Sequence, residues 1–195
     1  MSLPAPLILA STSPYRRQLL ARLGVEFSVE SPGLEEARLV DEPPAERALR
    51  LAMAKAQRIA AQRGNAVVIG SDQVAAAAEE ILDKPGHVHG ARAQLVRLSG
   101  AVAHFYTACA VIAAEQGFSA RHLDTTRVVF RTLTAPQIER YLARESPLDC
   151  AGSFKAEGLG ISLLERIESH DPTALIGLPL IWLAATLRRL GYDVP

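Results

Sequence analysis

The sequence predicts an α/β protein with a mixed β-sheet, flanking helices and two lobes around a deep cleft. Short apolar runs that are typical of strands alternate along the chain with segments of helical periodicity. Hydrophobic residues make up 49% of the chain and charged residues 22%, which favours a globular protein over a disordered one. Because neither a linker nor a repeat interrupts this pattern, we expect residues 1–195 to form a single domain.

The first elements are a strand, a helix and a second strand. The apolar run Leu7–Ala10 predicts a buried strand. Ser13 is a good N-cap and Pro14 suits the first helical position, so a helix begins here and ends near Gly24. Val25–Val29 predicts the next strand.

A long helix and a central strand follow. Residues 31–44 are acidic and contain prolines, which indicates a loop, and apolar residues recur at helical spacing from Pro43 to about Arg63. The continuous apolar run Ala66–Gly70 predicts a buried strand that ends at Gly70, so Asp72 is expected just past its C-terminal end. A hairpin-like stretch then leads to Gly86.

The rest of the chain continues the alternation of helices and strands. We predict a helix over Gly90–Leu98, strands over Ala101–Ala114 and His122–Leu133, a helix from Thr134 to Ala143, a glycine-rich loop over Cys150–Gly160, a strand over Ile161–Arg166 and a last helix from Gly177 to about Gly191.

The junction between the first strand and the first helix is a candidate phosphate site. A helix N-terminus offers unpaired backbone N–H groups and the positive end of the helix dipole. The hydroxyls of Ser11 and Ser13 and the guanidinium of Arg16 add donors that suit phosphate oxygens. The alternative is a plain serine N-cap with solvated arginines. The GxxxxGK[ST] pattern is absent, so this is not a Walker P-loop.

Asp72 is the second candidate. At the end of a buried strand, where α/β folds bind ligands, its carboxylate could hold a divalent cation or activate a water molecule. The alternative is a solvated loop aspartate in an Asx-turn.

Other charged residues carry weaker signals. Lys55 lies beside the apolar stripe of its helix, so its side chain either reaches over the sheet or extends into solvent. Lys84 precedes a proline and is typical of a surface turn. Glu157, in the glycine-rich loop, could accept hydrogen bonds from a base edge, or the loop could simply be a flexible connection.

Composition and spacing exclude several classes of protein. Lys plus Arg number 21 and Asp plus Glu number 21, and aromatic residues are only 5%, which argues against a nucleic-acid-binding surface. No apolar run approaches membrane-spanning length, and the N-terminus lacks the basic region of a signal peptide. Two cysteines form no disulfide framework, so we expect a cytoplasmic protein. The pair His87 and His89 lacks further metal ligands at suitable spacing.

Nine segments occur in an order that points to a known family: LASTSPYRRQLLARLGVEF at 9–27, EE at 35–36, LRLAMAKAQ at 49–57, VIGSDQV at 68–74, ILDKPG at 81–86, FYTACAV at 105–111, VVFRTLT at 128–134, PLDCAGSFKAEGLG at 147–160 and ALIGLPL at 174–180. Together they resemble the Maf family of nucleoside triphosphate pyrophosphatases over almost the whole chain. The resemblance implies an assembly that is often a homodimer and a cleavage between the α and β phosphates that depends on a divalent cation, Mg²⁺ or Mn²⁺.

The resemblance also implies roles for individual residues. Asp72 matches the family's catalytic acidic residue, and Glu36 matches an acidic-loop position that helps to hold the metal with it. Whether Asp72 acts as the base, as a metal ligand or as both stays open at this stage. The positions that line the family's phosphate pocket are Ser11, Ser13, Arg16, Lys55 and Lys84.

Three positions resemble the branch of that family that acts on 7-methyl-GTP. They are Tyr15, Gln73 and Glu157, where relatives that act on thymidine and uridine triphosphates have Arg, Thr and Gln. N7-methylguanine is positively charged, and both an aromatic face and a carboxylate favour a cation. The alternatives are a pyrophosphatase for UTP, CTP or dTTP and a nucleotide-binding regulator of cell division.

Overall fold

The structure is a computed structural model that describes residues 4–78 and 80–195. These residues form seven strands and five α-helices. The strands are β1 (Leu7–Ala10), β2 (Ser28–Glu30), β3 (Val67–Ala77), β4 (Glu80–Leu82), β5 (Val102–Ala113), β6 (Phe118–Phe130) and β7 (Leu164–Glu168). The α-helices are α1 (Pro14–Ala21), α2 (Pro44–Ala60), α3 (Val88–Leu98), α4 (Ala135–Arg144) and α5 (Leu180–Arg189). Short 3-10 helices lie at Ala114–Gln116, Ala151–Ser153, Leu159–Leu163 and Ala174–Ile176.

The strands form one mixed sheet in the order β2-β1-β3-β5-β6-β7, with β4 paired to β3. β1 is parallel to both β2 and β3, whereas β3–β4 and β6–β7 are antiparallel pairs. The predicted α/β class with a mixed sheet and flanking helices is therefore confirmed.

The chain divides into two compact units. Unit 1 comprises Met1–Gln73, Thr107–Asp124 and Asp171–Pro195, and unit 2 comprises Val74–Tyr106 and Thr125–His170. Three of the four crossings fall inside strands, which explains why the sequence shows no linker. That residues 1–195 act as one domain, with a cleft between the lobes, stays a prediction.

Unit 1 is built around an apolar core. Leu9, Leu19 and Ile69 are almost completely buried, because β1, α1 and β3 turn their apolar side chains to the same interior. Leu183 and Leu187 of α5 pack into the same cluster at helical spacing. This core fixes the end of β1, the start of α1 and the part of β3 that precedes Asp72.

Helix α2 packs closely against β3 at a glycine. A Cβ atom added to Gly70 would lie 2.2 Å from the carbonyl oxygen of Ala52 and 2.6 Å from the nitrogen of Ala56. Only glycine allows this backbone approach. The contacting turn of α2 also carries Lys55, which lies beside the strand segment that follows Gly70.

Unit 2 has its own aromatic core. The ring of Phe154 meets the rings of Phe105 and Phe130 edge-on at centroid distances of 5.6 and 5.2 Å. Helix α4 begins with the predicted cap, in which Thr134 and Gln137 form a reciprocal capping box. The ring contacts of Phe154 hold the middle of the glycine-rich loop in unit 2.

Asp72 was predicted to lie past the end of a strand, and this is wrong. β3 continues to Ala77, so Asp72 lies inside it. The parallel pairing with β1 does end at Gly70, as the apolar run predicts, but the strand continues because Ala75–Ala77 then pairs with β4 in a hairpin. A strand extended in this way presents successive side chains to opposite faces.

Three other strands differ from the prediction, and one of them is β6, which covers Phe118–Phe130 and not His122–Leu133. The ladder with β1 includes only Ser28–Glu30 of the second strand, while Val25 and Phe27 pack on the core before the ladder begins. Residues Leu159–Leu163 form a 3-10 helix, so β7 begins only at Leu164, where it pairs with β6. Apolar periodicity alone does not separate such core-packed segments from strands.

Candidate active site

The start of α1 has the local structure of an anion site. Ser13 is the N-cap, and its hydroxyl accepts a hydrogen bond from the backbone N–H of Arg16 at 3.4 Å. The buried hydroxyl of Ser11 in turn accepts one from the backbone N–H of Ser13 at 3.1 Å. Tyr15 is half-buried in the first turn of the helix. The predicted N-cap is confirmed, and the positive end of the α1 dipole lies here.

Lys55 joins the two predicted acidic residues. Its ammonium nitrogen lies 2.6 Å from Oδ1 of Asp72 and 2.6 Å from Oε1 of Glu36. The two carboxylate oxygens are therefore no further apart than twice that distance. Lys55 and Asp72 are both buried, whereas Glu36 is exposed. Of the two readings of Lys55, the one in which its side chain reaches over the sheet is correct.

The pKa of Asp72 is raised above its ordinary value. The cause is burial, which penalises the charged carboxylate, and the nearby Glu36 adds to it. Lys55 and Arg16 oppose the shift because their positive charges favour the ionised form. A buried carboxyl with a raised pKa is a stronger proton acceptor than an ordinary aspartate, which suits a general base.

Arg16 is held by a distant part of the chain. Its Nε–H donates a hydrogen bond to the carbonyl oxygen of Gly177 at 3.0 Å. The guanidinium lies within electrostatic reach of Asp72 and Glu36. Since this bond uses only the Nε–H, the Nη1 and Nη2 groups keep four N–H donors for other acceptors.

The neighbours of Asp72 on β3 make further contacts with the segment before α5. The Ser71 hydroxyl is fully buried and lies 2.8 Å from the carbonyl oxygen of Ala108 and 2.9 Å from that of Gly177. The Gln73 amide nitrogen lies 2.8 Å from the hydroxyl of Thr107 and 3.0 Å from the carbonyl oxygen of Ala174. Neither Ser71 nor Thr107 was predicted from the sequence, since a buried hydroxyl between strands leaves no local pattern.

The acidic loop is fixed to α2 by two arginines. Arg47 Nη2 donates to the carbonyl oxygen of Glu36 at 3.4 Å, and Arg50 Nη2 donates to that of Ala37 at 3.1 Å. Arg50 also forms an ion pair with Glu42, whose pKa it lowers. Helix α2 therefore carries Lys55 and also holds the backbone of the loop that carries Glu36.

Comparison with known proteins decides the family. The model of the Maf-like protein family matches residues 6–190. A 7-methyl-GTP pyrophosphatase of Xanthomonas campestris pv. campestris is 52% identical, over 97% of this chain and 98% of that protein. Proteins of the same name from Albidiferax ferrireducens and Nitrosococcus oceani are 50% and 46% identical; they align over 96% and 100% of this chain and over 94% and 100% of their own lengths.

The chain belongs to the Maf-like family. The family resemblance predicted from nine sequence segments is thereby confirmed. The fold of this Maf-like chain is also similar to the structure of a HAM1 protein from Coxiella burnetii, with a TM-score of 0.51, 11% identity and coverage of 95% of this chain and 99% of that one. At that identity the likeness concerns the fold alone.

The Maf-like chain gathers most of its predicted site residues in unit 1. These residues are Ser11, Ser13, Tyr15, Arg16, Glu36, Lys55, Asp72 and Gln73. Lys84 and Glu157 belong to unit 2, where both side chains are exposed. Their roles, like those of the unit 1 residues, stay predictions.

The loop that carries Glu157 is well anchored within unit 2. The backbone N–H of Gly160 donates to a carboxylate oxygen of Glu145 at 3.0 Å, and that of Lys155 donates to the Tyr141 hydroxyl at 3.2 Å. A Cβ atom on Gly158 would lie 2.3 Å from the Glu145 carboxylate. The alternative of a flexible connecting loop is thus not supported.

His87, one of the two histidines that lack further metal ligands at suitable spacing, has a structural role in the Maf-like chain. His87 is the N-cap of α3, where its Nδ1 accepts from the backbone N–H of Gly90 at 2.9 Å. Within residues 4–78 and 80–195, no group of three or more His, Cys, Asp or Glu side chains converges as a metal site would. In the same part of the chain, no helix is long and apolar enough to span a membrane.

Proposed function

We propose that this chain hydrolyses 7-methyl-GTP to 7-methyl-GMP and pyrophosphate. The observation that carries the proposal is the buried Asp72 carboxyl, which lies against Lys55 and within electrostatic reach of Arg16. A proton acceptor is thus surrounded by the cations that a triphosphate needs. The names of relatives at about 50% identity over nearly their full length support the choice of substrate.

The triphosphate would bind at the start of α1. Backbone N–H groups, the hydroxyls of Ser11 and Ser13 and the guanidinium of Arg16 supply donors for its oxygens. Lys55 would add positive charge, as would Lys84, which the family resemblance assigns to the phosphate pocket. The net charge of zero does not oppose this site, because one small pocket needs only a few cations.

The carboxylates of Asp72 and Glu36 would hold a divalent cation, Mg²⁺ or Mn²⁺. Their oxygens already converge on one positive charge, the Lys55 ammonium. Hard cations prefer carboxylate oxygens, and Mg²⁺ in nucleotide enzymes is commonly held by one or two carboxylates together with substrate phosphates. Two carboxylates therefore fit the metal, and when bound it would neutralise charge on the phosphate oxygens.

Asp72 would act as the general base. Its carboxylate would take a proton from a water molecule whose oxygen forms a bond to the α-phosphorus. The bond between that phosphorus and the oxygen that bridges to the β-phosphorus breaks, and pyrophosphate leaves with the electron pair. Arg16 and Lys55 would stabilise the charge that develops on the leaving group. Burial of Asp72, which raises its pKa, supports this role.

Tyr15 and Glu157 would recognise the methylated base. The half-buried ring of Tyr15 lies in the first turn of α1, beside the proposed phosphate site. A ring face attracts the cationic N7-methylguanine, and a carboxylate accepts hydrogen bonds from N1–H and N2–H of guanine. Gln73 differs from these two residues because its amide nitrogen already donates within the protein. The homodimer and the cytoplasmic location stay predictions from the sequence.

Removal of the two carboxylates tests this proposal. We expect Asp72→Asn to lower kcat by about 100-fold or more, since an amide cannot accept the proton. Glu36→Gln should raise the Mn²⁺ concentration needed for half-maximal activity, because a neutral amide binds the cation less well. The assay is pyrophosphate release from 7-methyl-GTP.

The control for these variants is Glu35→Gln, which neutralises the adjacent, equally exposed glutamate. It should leave both kcat and the Mn²⁺ requirement unchanged. Near-normal turnover by folded Asp72→Asn protein would contradict the role of Asp72. An equal effect of Glu35→Gln and Glu36→Gln would contradict the role of Glu36.

A further inference from the structure

The segment Ala174–Gly177 is bound to β3 by the two residues that flank Asp72. Side chains alternate along a strand, so Ser71 and Gln73 share the face opposite to Asp72. Ser71 reaches the carbonyl oxygen of Gly177 at 2.9 Å, and Gln73 reaches that of Ala174 at 3.0 Å. The strand that presents the proposed base therefore also holds this segment.

Gln73 makes these contacts with all of its donor capacity. Its amide nitrogen lies within 3.0 Å of three acceptors: the Thr107 hydroxyl and the carbonyl oxygens of Ala174 and Leu175. An amide nitrogen carries two hydrogens, so it can donate to a nucleotide base only if it gives up one of these partners. Gln73 thus links β3 to the segment Ala174–Gly177. We call the hydrogen bonds of Gln73 and Thr107 to this segment the brace.

Thr107 completes the brace from β5. Its hydroxyl is fully buried; it accepts from Gln73 and donates to the carbonyl oxygen of Ala174 at 2.9 Å. Loss of the Thr107 hydroxyl would therefore leave the side-chain amide of Gln73 and the carbonyl oxygen of Ala174 each with one hydrogen-bond partner fewer. The contact fixes the start of the segment.

The last residue of the segment, Gly177, contacts Arg16. The Nε–H of Arg16 donates to the carbonyl oxygen of Gly177, and the Ser71 hydroxyl shares its single hydrogen between that oxygen and the carbonyl oxygen of Ala108. Gly177 has a φ of 128°, a conformation that favours glycine, so its carbonyl direction depends on the segment that precedes it. A shift of this carbonyl would therefore turn the guanidinium of Arg16.

The other side of the segment is fixed as well. Asp171 accepts from the backbone N–H of Thr173 at 2.9 Å and from that of Ile181 at 2.7 Å. These bonds tie the start of the segment to the first turn of α5. The bonds of Asp171 limit the movement of the segment on that side. The contacts with β3 and β5 therefore determine the orientation of its carbonyl groups.

We propose that Thr107 and Ser71, together with Gln73, are positioning residues that hold Ala174–Gly177 and so orient Arg16 toward the triphosphate. This inference rests on the proposed function, in which Arg16 binds phosphate. It gives Gln73 an effect on turnover that does not require contact with the base. All the residues involved belong to unit 1.

Thr107→Val is the direct test, because it removes the hydroxyl and keeps the shape of the side chain. We expect kcat/KM to fall about 10-fold to 100-fold, since a small displacement of a positioned group has effects of this size. The factor should be equal for 7-methyl-GTP and GTP, because the phosphates are common to both. Thr107→Ser, which keeps the hydroxyl, should restore most of the activity.

The matched control is Thr186→Val in α5. Thr186 is also buried, and its hydroxyl also donates to a backbone carbonyl oxygen, that of Trp182 at 3.0 Å, which lies outside the segment. It should leave kcat/KM unchanged. A loss in Thr107→Val that differs between 7-methyl-GTP and GTP, or no loss at all, would overturn the proposal.

A double-mutant cycle with Arg16→Met separates positioning from a general loss of structure. If Thr107 acts through Arg16, Thr107→Val should cost little further activity in the Arg16→Met background. If the two effects multiply, Thr107 acts elsewhere and the proposal fails.

Hydrogen exchange gives a readout that does not depend on turnover. We expect the amides of Ile176, Gly177 and Leu178 to exchange faster in Thr107→Val than in the wild-type protein, and unchanged in Thr186→Val. If the wild-type protein releases no pyrophosphate but this difference is present, the proposed function fails while the brace stands. Equal exchange in all three proteins would overturn the brace itself.

Discussion

The buried pair of Asp72 and Lys55 determines the charge balance of the site. A carboxylate and an ammonium that lie 2.6 Å apart in the interior each offset the cost of burying the other. Lys55 also lowers the pKa of Asp72 against the larger, upward effect of burial. Replacement of Lys55 would therefore raise the pKa of Asp72 further above that of an unfolded aspartate.

The pH dependence of stability tests this relation in Lys55→Met. Below the pKa of an unfolded aspartate, Asp72 is protonated in both the folded and the unfolded state. The missing ion pair should therefore lower the free energy of unfolding of the variant only slightly. As the pH rises, the unfolded chain releases its proton before the folded variant does, so the free energy of unfolding of the variant falls. At pH 8 we expect it to be about 3 kcal/mol below that of the wild-type protein.

This prediction is checked by urea unfolding of both proteins between pH 4 and pH 8 in EDTA, which removes any bound divalent cation. A stability difference that is constant over this range would show that Lys55 does not influence the ionisation of Asp72. Arg58→Met serves as a control, because it removes a charge from the same helix outside the site.

Single residues with a role of their own could be found from the sequence, whereas residues that act through others could not. Ser13 was placed as an N-cap because the pattern of serine, proline and an apolar face is local. Ser71 and Thr107 act through hydrogen bonds to segments far away in the chain, which no spacing rule reports. For Lys55, the sequence left two directions open, and the tertiary packing of α2 selects one.

At the scale of elements, the site depends on how closely α2 approaches β3. Gly70 allows the backbone of α2 to lie against the strand, and this brings Lys55 to Asp72. The run Ala66–Gly70 predicted a strand and the periodicity predicted α2, but neither indicates that the two elements meet at a glycine. The continuation of β3 through Asp72 also depends on its pairing with β4, which is a tertiary contact.

Gly70→Ala should damage both stability and activity. The added methyl group overlaps the carbonyl of Ala52, so α2 must move away from β3, at a cost of about 2 kcal/mol or more. The same shift separates Lys55 from Asp72 and should lower kcat. Gly64→Ala is the matched control: a Cβ atom there meets nothing within 4 Å, so stability should stay equal or rise by about 0.5 kcal/mol.

Thermal unfolding and pyrophosphate release of these two variants give the comparison. If Gly70→Ala unfolds at the same temperature as Gly64→Ala, the close approach of α2 to β3 is not what holds the site. If it loses stability but keeps full kcat, the contact between Lys55 and Asp72 does not matter for turnover.

At the scale of the whole molecule, the fold class was predictable because strands and helices alternate regularly along the chain. The division into two units was predicted only as two lobes, without boundaries, because the chain crosses from one unit to the other inside continuous strands. The predicted site residues come from four separate places within Met1–Gln73 of unit 1 and from two places in unit 2. Only the resemblance to a family placed them in one site.

The choice of substrate is tested by a combined variant. Tyr15→Arg and Glu157→Gln together replace an aromatic face with a cation, which repels a cationic base, and a carboxylate with a neutral amide, which does not attract it. We expect the preference to move from 7-methyl-GTP toward UTP, as measured by the ratio of the two kcat/KM values. An unchanged ratio in a folded, active variant would show that other residues select the base.

The most direct measurement is pyrophosphate release by the wild-type protein from 7-methyl-GTP, GTP, UTP, CTP and dTTP, with Mg²⁺ or Mn²⁺. We expect the highest kcat/KM for 7-methyl-GTP, clearly above that for GTP, with the monophosphate as the second product. A preference for the pyrimidine nucleotides would contradict the roles of Tyr15 and Glu157 while leaving Asp72 in place. Release from none of the five would contradict the proposed activity.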